Sequence, residues 1–190
     1  MSKIIYDMSM SLDGFITGAN PRLEAGLGDG GEHLHDWGFN SKDPRNSEIA
    51  RAWTAMGAII VGRNTYDLSI PHWGADGPTG PARVPTVILS HDVPDNIPNG
   101  GVYHFAHSVE DAYEQAKKLA GDKDIGMHGA NTAQQFITHG LVDEIFIHLV
   151  PVLFGSGVRL FERDGEHISL ETVEVIKTKE ATHLRFRVVK

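Results

Sequence analysis

Apolar and polar residues alternate along residues 3–13. Every second position from Ile4 to Leu12 is apolar, while the positions between them change from apolar near the start to polar at Asp13. A period of two residues is typical of a β-strand, whose successive side chains point to opposite faces. The increasingly polar second face predicts a strand that runs out into a cleft and is broken at Gly14.

The rest of the chain alternates between strand-like and helix-like patterns. Short apolar runs predict further strands at 58–61, 86–90, 102–105, 124–128, 144–150, 168–177 and 183–189. Helical spacing of apolar residues predicts helices that begin at Ser47 and Ser108, each as the N-cap, and a third helix around Phe136. Two stretches, 21–46 and 71–85, show no sustained periodicity. The first is long for a loop in a compact domain, which is typical of functional or mobile segments.

Strands that alternate with helices predict an α/β fold with a mainly parallel sheet covered on both faces. The last two strands are close enough in sequence to form an antiparallel hairpin, which makes the predicted sheet mixed. Residues 1–190 contain no segment typical of a linker and no internal repeat. We therefore expect one domain over residues 1–190.

Composition excludes several classes of function. The chain has no cysteine, so disulfides, thiolate catalysis and cysteine metal sites are excluded. The net charge is −8 and the basic residues are scattered, which makes nucleic acids and acidic membranes unsuitable partners. No apolar stretch approaches the roughly 20 residues needed to cross a bilayer. We expect a cytoplasmic protein that acts on a small molecule.

The histidines raise the question of a metal site. His33, His35 and Asp36 lie together on a glycine-rich loop, and a His-x-His pair with a carboxylate can bind a metal ion. No third well-placed ligand is visible, so a polar loop without a metal is the preferred interpretation. A metal-dependent hydrolase using these three residues is the corresponding, less favoured function.

Three predicted strand ends carry polar residues and glycines. Gly62-Arg63-Asn64-Thr65 follows one strand, Leu89-Ser90-His91 ends another, and His128-Gly129-Ala130-Asn131-Thr132 joins a third to a helix. Ligands of open α/β sheets bind at the carboxyl ends of the strands. Helix N-termini, an arginine and close backbone approach at glycine suit phosphate groups. Each segment alone is better explained as an ordinary turn, and it is the coincidence of the three that favours a ligand site.

Several motifs resemble those of the dihydrofolate reductase-like superfamily. They are Ser11-Leu12-Asp13-Gly14-Phe15-Ile16, Val61-Gly62-Arg63-Asn64-Thr65-Tyr66, Gly129-Ala130-Asn131, Leu141-Val142-Asp143-Glu144-Ile145 and the segment 151–161. More closely, they resemble the C-terminal reductase domain of the bifunctional deaminase–reductases of riboflavin biosynthesis. The resemblance extends from Ile4 to Val189. It implies a central mixed sheet flanked by helices and NADPH bound at the carboxyl edge of that sheet.

The resemblance also implies which residues hold NADPH. Those around the pyrophosphate, the adenosine ribose and the nicotinamide are Ile16, Gly18, Val61, Gly62, Arg63, Asn64, Thr65, Leu89, Ser90, His91, Met127, His128, Gly129, Ala130, Asn131 and Thr132. Arg63 and His91 favour NADPH over NADH, and NADH remains open. His91 is equally compatible with a solvated surface histidine, and His128 departs from the usual glycine-rich turn.

The substrate is less well defined by the motifs. Asp13 matches a substrate-side aspartate of the riboflavin branch and is the candidate catalytic residue, although an Asp-Gly turn is an equal alternative. Candidate substrate contacts are Ser11, Trp37, Leu153 and Phe154, and Trp37 is alternatively a core anchor. The acidic residue of folate-reducing members has no clear counterpart, because the context of Glu48 does not match.

These patterns predict an NADPH-dependent reductase that transfers a hydride to a small heterocyclic or carbonyl substrate. The nearest resemblance is to a 5-amino-6-(5-phosphoribosylamino)uracil reductase. The alternative is an NADP(H) or small-molecule binding protein without turnover, and a true dihydrofolate reductase is less favoured. The apolar run 145–150 and the terminal hairpin carry more apolar faces than one small sheet hides, which predicts a homodimer.

Overall fold

A computed structural model describes residues 2–162 and 167–190. The strands are β1 Ile4–Ser11, β2 Ala58–Gly62, β3 Thr86–Leu89, β4 Tyr103–Ala106, β5 Ile125–His128, β6 Glu144–Val150, β7 Leu170–Lys177 and β8 Thr182–Val188. The α-helices are α1 Asp36–Phe39, α2 Pro44–Thr54, α3 Arg63–Trp73, α4 Val109–Ala120 and α5 Ala130–Thr138. Shorter 3-10 segments cover Gly31–His35 and Gly74–Ala82.

The eight strands form one sheet in the order β4-β3-β2-β5-β1-β6-β8-β7. The first six of these are parallel, whereas β8 runs antiparallel to both β6 and β7. The mostly parallel sheet and the C-terminal antiparallel hairpin are therefore confirmed. Within the described part of the chain, no helix is long and apolar enough to cross a membrane.

The alternation of β1 distributes its side chains between two layers. Ile4 and Tyr6 pack with α4 and α5 in the largest core cluster. The opposite face of the sheet carries Ile59 and Val61, which pack with α3. The strand ends at Ser11, and Leu12 is 62% exposed, so the predicted alternation continues two residues too far.

The predicted helix start at Ser47 is wrong. Helix α2 begins at Pro44, and its N-cap is Asp43, four residues before Ser47; the Asp43 carboxylate accepts a hydrogen bond from the Arg45 N–H. Aspartate at the N-cap followed by proline at N1 is a strong start signal because proline lacks the N–H that the first turn leaves unpaired. The Ser108 N-cap is confirmed, since its hydroxyl accepts from the Asp111 N–H at 3.1 Å.

The two stretches without periodicity contain short helices. Residues 31–39 form one 3-10 turn and α1, and the stretch at 71–85 contains the end of α3 and further 3-10 turns. Pro71 lies in the last turn of α3, which ends at Trp73. These helices are too short and too rich in glycine and proline to show a hydrophobic period, so the expectation of irregular structure throughout was wrong.

Candidate active site

A cleft of about 690 Å³ opens where β2, β3 and β5 end and α3, α4 and α5 begin. Twelve of the predicted cofactor residues line it: Ile16, Gly62, Arg63, Asn64, Thr65, Leu89, Ser90, His91, Gly129, Ala130, Asn131 and Thr132. The structure therefore brings together the three polar strand ends that are far apart in sequence. Carboxyl ends of neighbouring parallel strands meet at one edge of the sheet, which explains the convergence.

Two helices begin at this cleft without a side-chain cap. The N-caps of α3 and α5 are Gly62 and Gly129, and neither helix start has a capping side-chain hydrogen bond. The first N–H groups of a helix have no intrahelical partner, and the helix dipole makes this end positive. The two adjacent helix starts can bind an extended anion such as a diphosphate.

Both glycines face a threonine hydroxyl across a space that admits no side chain. A Cβ on Gly62 would overlap the Thr132 hydroxyl, and a Cβ on Gly129 would lie 2.9 Å from the Thr65 hydroxyl oxygen. Gly129 also has φ of +93°, a backbone conformation that other residues rarely adopt. The bare backbone and the hydroxyls together leave donors within reach of a phosphate.

Arg63 lies at the start of α3 and bridges to the end of β3. Its Nε donates to Asp67 at 2.7 Å, and its Nη1 donates to the Ser90 hydroxyl and to the Asp92 carbonyl oxygen, both at 3.2 Å. The Asp92 carboxylate lies 3.8 Å from Nη1. These contacts fix the guanidinium at the edge of the cleft, and two carboxylates share its charge.

Hydrogen bonds order the turn that follows β3. The Ser90 hydroxyl donates to the Asp92 carbonyl oxygen at 2.6 Å. His107 Nδ1 lies 3.1 Å from the carbonyl oxygens of both Ser90 and His91, so this nitrogen carries the hydrogen. The ordered turn presents the exposed His91 ring to the cleft.

The sheet splits beside this cleft. Strands β1 and β5 pair only as far as Tyr6 and Met127, although β1 continues to Ser11 alongside β6. After His128, the chain turns at Gly129 into α5. A gap therefore opens between β1 and the β5–α5 turn. Met8, Ile16 and Gly129 line the cleft at this gap.

Four predicted cofactor residues do not line the cleft. Val61 and Met127 are fully buried in the core beneath it. Gly18 lies in the loop after β1, where a Cβ would overlap the Asp29 carbonyl oxygen, so its role is close backbone packing. The His128 ring packs against Trp53 with centroids 4.2 Å apart and is not among the residues that line the cleft.

Asp13 joins two segments instead of facing the cleft. Its carboxylate accepts from the Ser11 hydroxyl at 2.6 Å and from the N–H groups of Phe154 at 3.1 Å and Gly155 at 2.7 Å. The hydrogen bonds from Ser11 and from this backbone lower the pKa of the Asp13 carboxyl to about 2. These contacts favour the turn interpretation of Asp13, since a strongly bonded carboxylate is a poor proton donor.

The other predicted substrate contacts also lie outside the cleft. The Ser11 hydroxyl accepts from the Phe15 N–H as well as donating to Asp13, so its hydrogen bonds are used internally. Trp37 is buried with its ring 4.2 Å from that of His148, while Phe154 packs in the same cluster. Leu153 is 69% exposed. The core-anchor interpretation of Trp37 fits these contacts.

A buried polar cluster below the split was not predicted from the sequence. It comprises Asp7 on β1, His35 in the 3-10 turn, His128 on β5, His148 on β6 and His183 on β8. Asp7 Oδ1 lies 3.1 Å from His148 Nε2, and His148 Nδ1 lies 2.8 Å from His183 Nδ1. The available signal was the polar second face of β1, to which Asp7 belongs, but the sequence does not identify the partners of Asp7.

Burial and charge shift the pKa values within this cluster. Burial raises the pKa of the Asp7 carboxyl, but nearby His148, His128 and Arg185 outweigh this effect and leave the pKa below its usual range. Burial lowers the pKa of His35 and of His183 to about 4 each. The Nδ1 atoms of His35 and His128 are buried and have no hydrogen-bond partner among the described residues. Such buried, unpaired polar atoms are unusual in a structural core.

The candidate metal ligands do not converge. His33 Nδ1 pairs with the Asp36 carboxylate at 3.0 Å near the surface, whereas His35 belongs to the buried cluster. Across residues 2–162 and 167–190, no group of three or more His, Cys, Asp or Glu side chains is arranged to hold a metal ion.

The sequence model of the family described as RibD C-terminal domain matches residues 2–184. The uncharacterized protein YyaP of Bacillus subtilis (strain 168) is 27% identical over 183 residues, covering 90% of this chain and 86% of YyaP. A deaminase/5-amino-6-(5-phosphoribosylamino)uracil reductase from Thermotoga maritima is 11% identical, with a TM-score of 0.66 over 99% of this chain and 57% of that chain. Dihydrofolate reductase from Enterococcus faecalis, complexed with NADP(H), is 12% identical, with a TM-score of 0.59 over 99% of this chain and 97% of that chain. The two structural likenesses confirm the dihydrofolate reductase-like fold.

Proposed function

The chain belongs to the RibD C-terminal domain family, and from this premise we propose that it is an NADPH-dependent reductase of a small heterocyclic substrate. The substrate class is a pyrimidine related to 5-amino-6-(5-phosphoribosylamino)uracil, the compound named for the reductase of similar fold. The reaction adds a hydride to a carbon–oxygen or carbon–nitrogen double bond. A cytoplasmic location is part of the proposal.

One observation carries the cofactor assignment. The uncapped starts of α3 and α5 open side by side on the same cleft, and their N-cap glycines leave no room for a side chain. This arrangement suits a diphosphate that contacts backbone N–H groups and the hydroxyls of Thr65 and Thr132. The dihydrofolate reductase of similar fold was solved with NADP(H), which supports the proposal of a dinucleotide cofactor.

The remaining lining residues fit the two ends of the same molecule. In this proposal, Leu89, Ser90 and His91 face the adenosine ribose, and Arg63 contacts its phosphate or the diphosphate. Ile16 and the loop with Gly18 cover the nicotinamide, which lies at the split between β1 and β5. NADPH supplies the hydride when bound. The chain's own residues orient the ring, hold the substrate against it and exclude water.

The preference for NADPH over NADH depends on Arg63. Its guanidinium is the cation at the ribose end of the cleft, yet Asp67 and Asp92 offset part of its charge. A 2′-phosphate would compete with Asp92 for Nη1, because both are anions within reach of the same donor. We therefore propose a moderate preference for NADPH, with NADH also bound.

Trp37 is not part of the proposed substrate site. The side chains next to the split are Asp7 and His128, and both belong to the buried polar cluster. A heterocycle stacked on the nicotinamide would meet these polar groups, which can donate to or accept from ring nitrogens and carbonyl oxygens. Asp13 remains a candidate for orienting the loop that follows β1.

A homodimer completes the proposed assembly. Strand β7 lies at the edge of the sheet and exposes Leu170, Val173 and Val175 by 43%, 45% and 56%. An edge strand with exposed apolar side chains favours pairing with another chain. A second copy related by two-fold symmetry would bury these residues.

The reductase proposal is tested by NADPH oxidation. Purified protein is mixed with NADPH and 5-amino-6-(5-phosphoribosylamino)uracil, and the fall in NADPH absorbance is followed with and without the uracil compound. We expect substrate-dependent oxidation that is lost in Gly129→Val and kept in Gly140→Val. Both glycines have positive φ, but Gly140 has open space around it, away from the cleft. NADPH binding without oxidation would support a binding protein instead.

A further inference from the structure

Four buried or partly buried side chains form a continuous hydrogen-bonded chain between the sheet and helix α2. Asp7 Oδ1 contacts His148 Nε2 at 3.1 Å, His148 Nδ1 contacts His183 Nδ1 at 2.8 Å, and His183 Nε2 contacts Asn46 Oδ1 at 2.8 Å. His148, His183 and Asn46 are each 1% exposed. Water therefore cannot supply missing hydrogens within this chain, and the side chains must satisfy one another.

The orientation of Asn46 fixes the hydrogen on one histidine. Asn46 Nδ2 donates to the Ser41 hydroxyl at 2.9 Å and to the Glu180 carboxylate at 3.1 Å. The opposite amide orientation would place the carbonyl oxygen against the Glu180 carboxylate, with no hydrogen between them. The Asn46 oxygen therefore faces His183, whose Nε2 must donate.

The three contacts along this hydrogen-bonded chain need one more hydrogen than two neutral histidines supply. The contact between His183 and Asn46 needs one hydrogen, the contact between the two Nδ1 atoms needs a second, and the contact between His148 and Asp7 needs a third. Two neutral imidazoles carry one hydrogen each, and an ionised carboxylate carries none. A third proton must therefore reside on this chain.

We propose that the Asp7–His148 pair stores this extra proton and supplies it to the substrate during reduction. The proposal rests on the reductase function proposed above. Burial lowers the pKa of His183, which keeps that ring neutral and leaves the extra proton between Asp7 and His148. The pair is then an imidazolium on His148 beside an ionised Asp7, which agrees with the low pKa of that carboxyl, and its net charge is zero.

The position of Asp7 suits proton delivery. It is the first residue of β1 beyond the last pair with β5, so it lies where the two strands separate. The Asp7 side chain is 15% exposed, compared with 2% for His148. The carboxyl group is thus the end of the chain that a substrate in the split would reach.

The transfer balances with a hydride from the cofactor. The hydride adds to the carbon of a carbon–oxygen or carbon–nitrogen double bond, and the π electrons move to the oxygen or nitrogen. That atom takes the stored proton as its new bond forms, and the Asp7–His148 pair becomes an anion. The substrate is reduced, the cofactor is oxidised, and a proton from solvent restores the pair.

Other charged and titratable groups face this hydrogen-bonded chain from each element packed around it. They are His35 from the 3-10 turn, Asp36 on α1, Asp43 and Arg45 at the start of α2, His128 on β5, Arg185 on β8 and Glu180 before β8. Asp43 and Arg45 pair with each other at 2.6 Å. Outside the pair itself, His128 and Arg185 act on the Asp7 carboxylate, and Arg185 is the one that is always charged.

One substitution removes the stored proton without breaking the chain of hydrogen bonds. In Asp7→Asn, the new amide donates to His148 Nε2, His148 Nδ1 donates to His183, and His183 Nε2 donates to Asn46. Two neutral imidazoles supply every hydrogen in this arrangement. Asp122→Asn serves as the matched control, since Asp122 is an exposed residue outside the cluster.

The protonation state is measured directly by ¹⁵N NMR of the histidine side chains at pH 7.5, with infrared detection of protonated carboxyl groups. In the wild type we expect one ring of the His148–His183 pair protonated at both nitrogens, with no carboxylic acid band from Asp7. The Asp7→Asn variant should show two neutral rings. Two neutral rings with an ionised Asp7 in the wild type would overturn the proposal, whether or not any variant folds.

Turnover tests the delivery step. With NADPH and 5-amino-6-(5-phosphoribosylamino)uracil, Asp7→Asn should lose roughly a hundredfold in kcat, as expected when a positioned acid is removed, and its Kd for NADPH should stay within about twofold. Unchanged kcat would overturn delivery by Asp7. If the wild type binds NADPH but does not turn over this compound, the reductase proposal for this substrate and the delivery step fail together, while the NMR result still decides whether the proton is stored.

Discussion

The indole N–H of Trp37 donates a 2.8 Å hydrogen bond to the Ser9 hydroxyl on β1. Trp37 belongs to the short helix α1, so this bond attaches the segment between β1 and α2 to the polar face of the central strand. The indole also covers His148 and His183, with ring centroids 4.2 and 4.9 Å away. Trp37 thereby closes one side of the buried polar cluster.

Replacing Trp37 tests this structural role. Trp37→Phe keeps an aromatic ring but removes the N–H donor and leaves the buried Ser9 hydroxyl without its partner. We expect a loss of about 1–3 kcal/mol in the free energy of unfolding, measured by urea denaturation. NADPH affinity should stay within twofold because Trp37 does not line the cleft. A large loss of NADPH affinity with unchanged stability would assign Trp37 to the ligand site instead.

The region around Trp37 shows why the site was only partly predictable. The cofactor segments were identified because each lies at the end of a strand, and eleven of their residues line one cleft. The polar cluster was missed because Asp7, His35, His128, His148 and His183 come from five separate elements. Their proximity depends on the strand order of the sheet, and a single sequence contains no signal for which polar residues become neighbours.

The fold itself was predicted more completely than its loops. Regular apolar periodicity identified every strand to within about two residues, because burial of one or both faces determines which positions are apolar. The segment from Pro21 to Asn46 was predicted as irregular since its helices are one or two turns long. At α2, the Asp43-Pro44 start signal was overlooked in favour of Ser47.

The backbone at Gly129 gives a sharp test of the cleft. Gly129→Ala places a Cβ 2.9 Å from the Thr65 hydroxyl at the uncapped start of α5, and we expect at least a tenfold loss of NADPH affinity. Gly140→Ala is the control, because φ is +67° and nothing lies within 4 Å of its Cβ. Both variants should lose about 1 kcal/mol or more from the strained backbone. Equal NADPH affinity in the two variants would contradict the diphosphate site.

The hydrogen bonds to Asp13 predict a pH dependence of stability. The folded pKa of about 2 lies below the ordinary value of about 3.9, so the ionised form is favoured in the native state. The resulting stability is present above pH 4 and is lost as the pH falls from about 4 to 2. Asp13→Asn should lower Tm at pH 6, and the difference from wild type should vanish near pH 2.

The same variant separates the two interpretations of Asp13. A turn residue predicts reduced stability with nearly normal turnover, once the protein is assayed well below its Tm. Loss of turnover with unchanged Tm and unchanged NADPH affinity would assign Asp13 a role at the reacting atoms.

The exposed apolar side chains of β7 predict dimerisation through the edge of the sheet. Light scattering at micromolar concentration should give a mass near twice the chain mass of 20.8 kDa. Val175→Lys should shift the mass toward the monomer, because a buried lysine without a partner opposes edge pairing. Glu174→Lys adds a lysine at the neighbouring position, whose side chain points to the other face. A wild-type mass of one chain at all concentrations would contradict the dimer.

The binding of NADPH is the central claim, and calorimetric titration tests it most directly. The wild type should bind one NADPH per chain with saturation, and Arg63→Ala should weaken that binding by about 1.5–3 kcal/mol, the contribution of a charge-assisted phosphate contact. Arg51→Ala, on α2 and outside the cleft, should bind as the wild type does. Absence of saturable NADPH binding by the wild type, or equal affinity of Arg63→Ala and wild type, would contradict the assignment of this cleft.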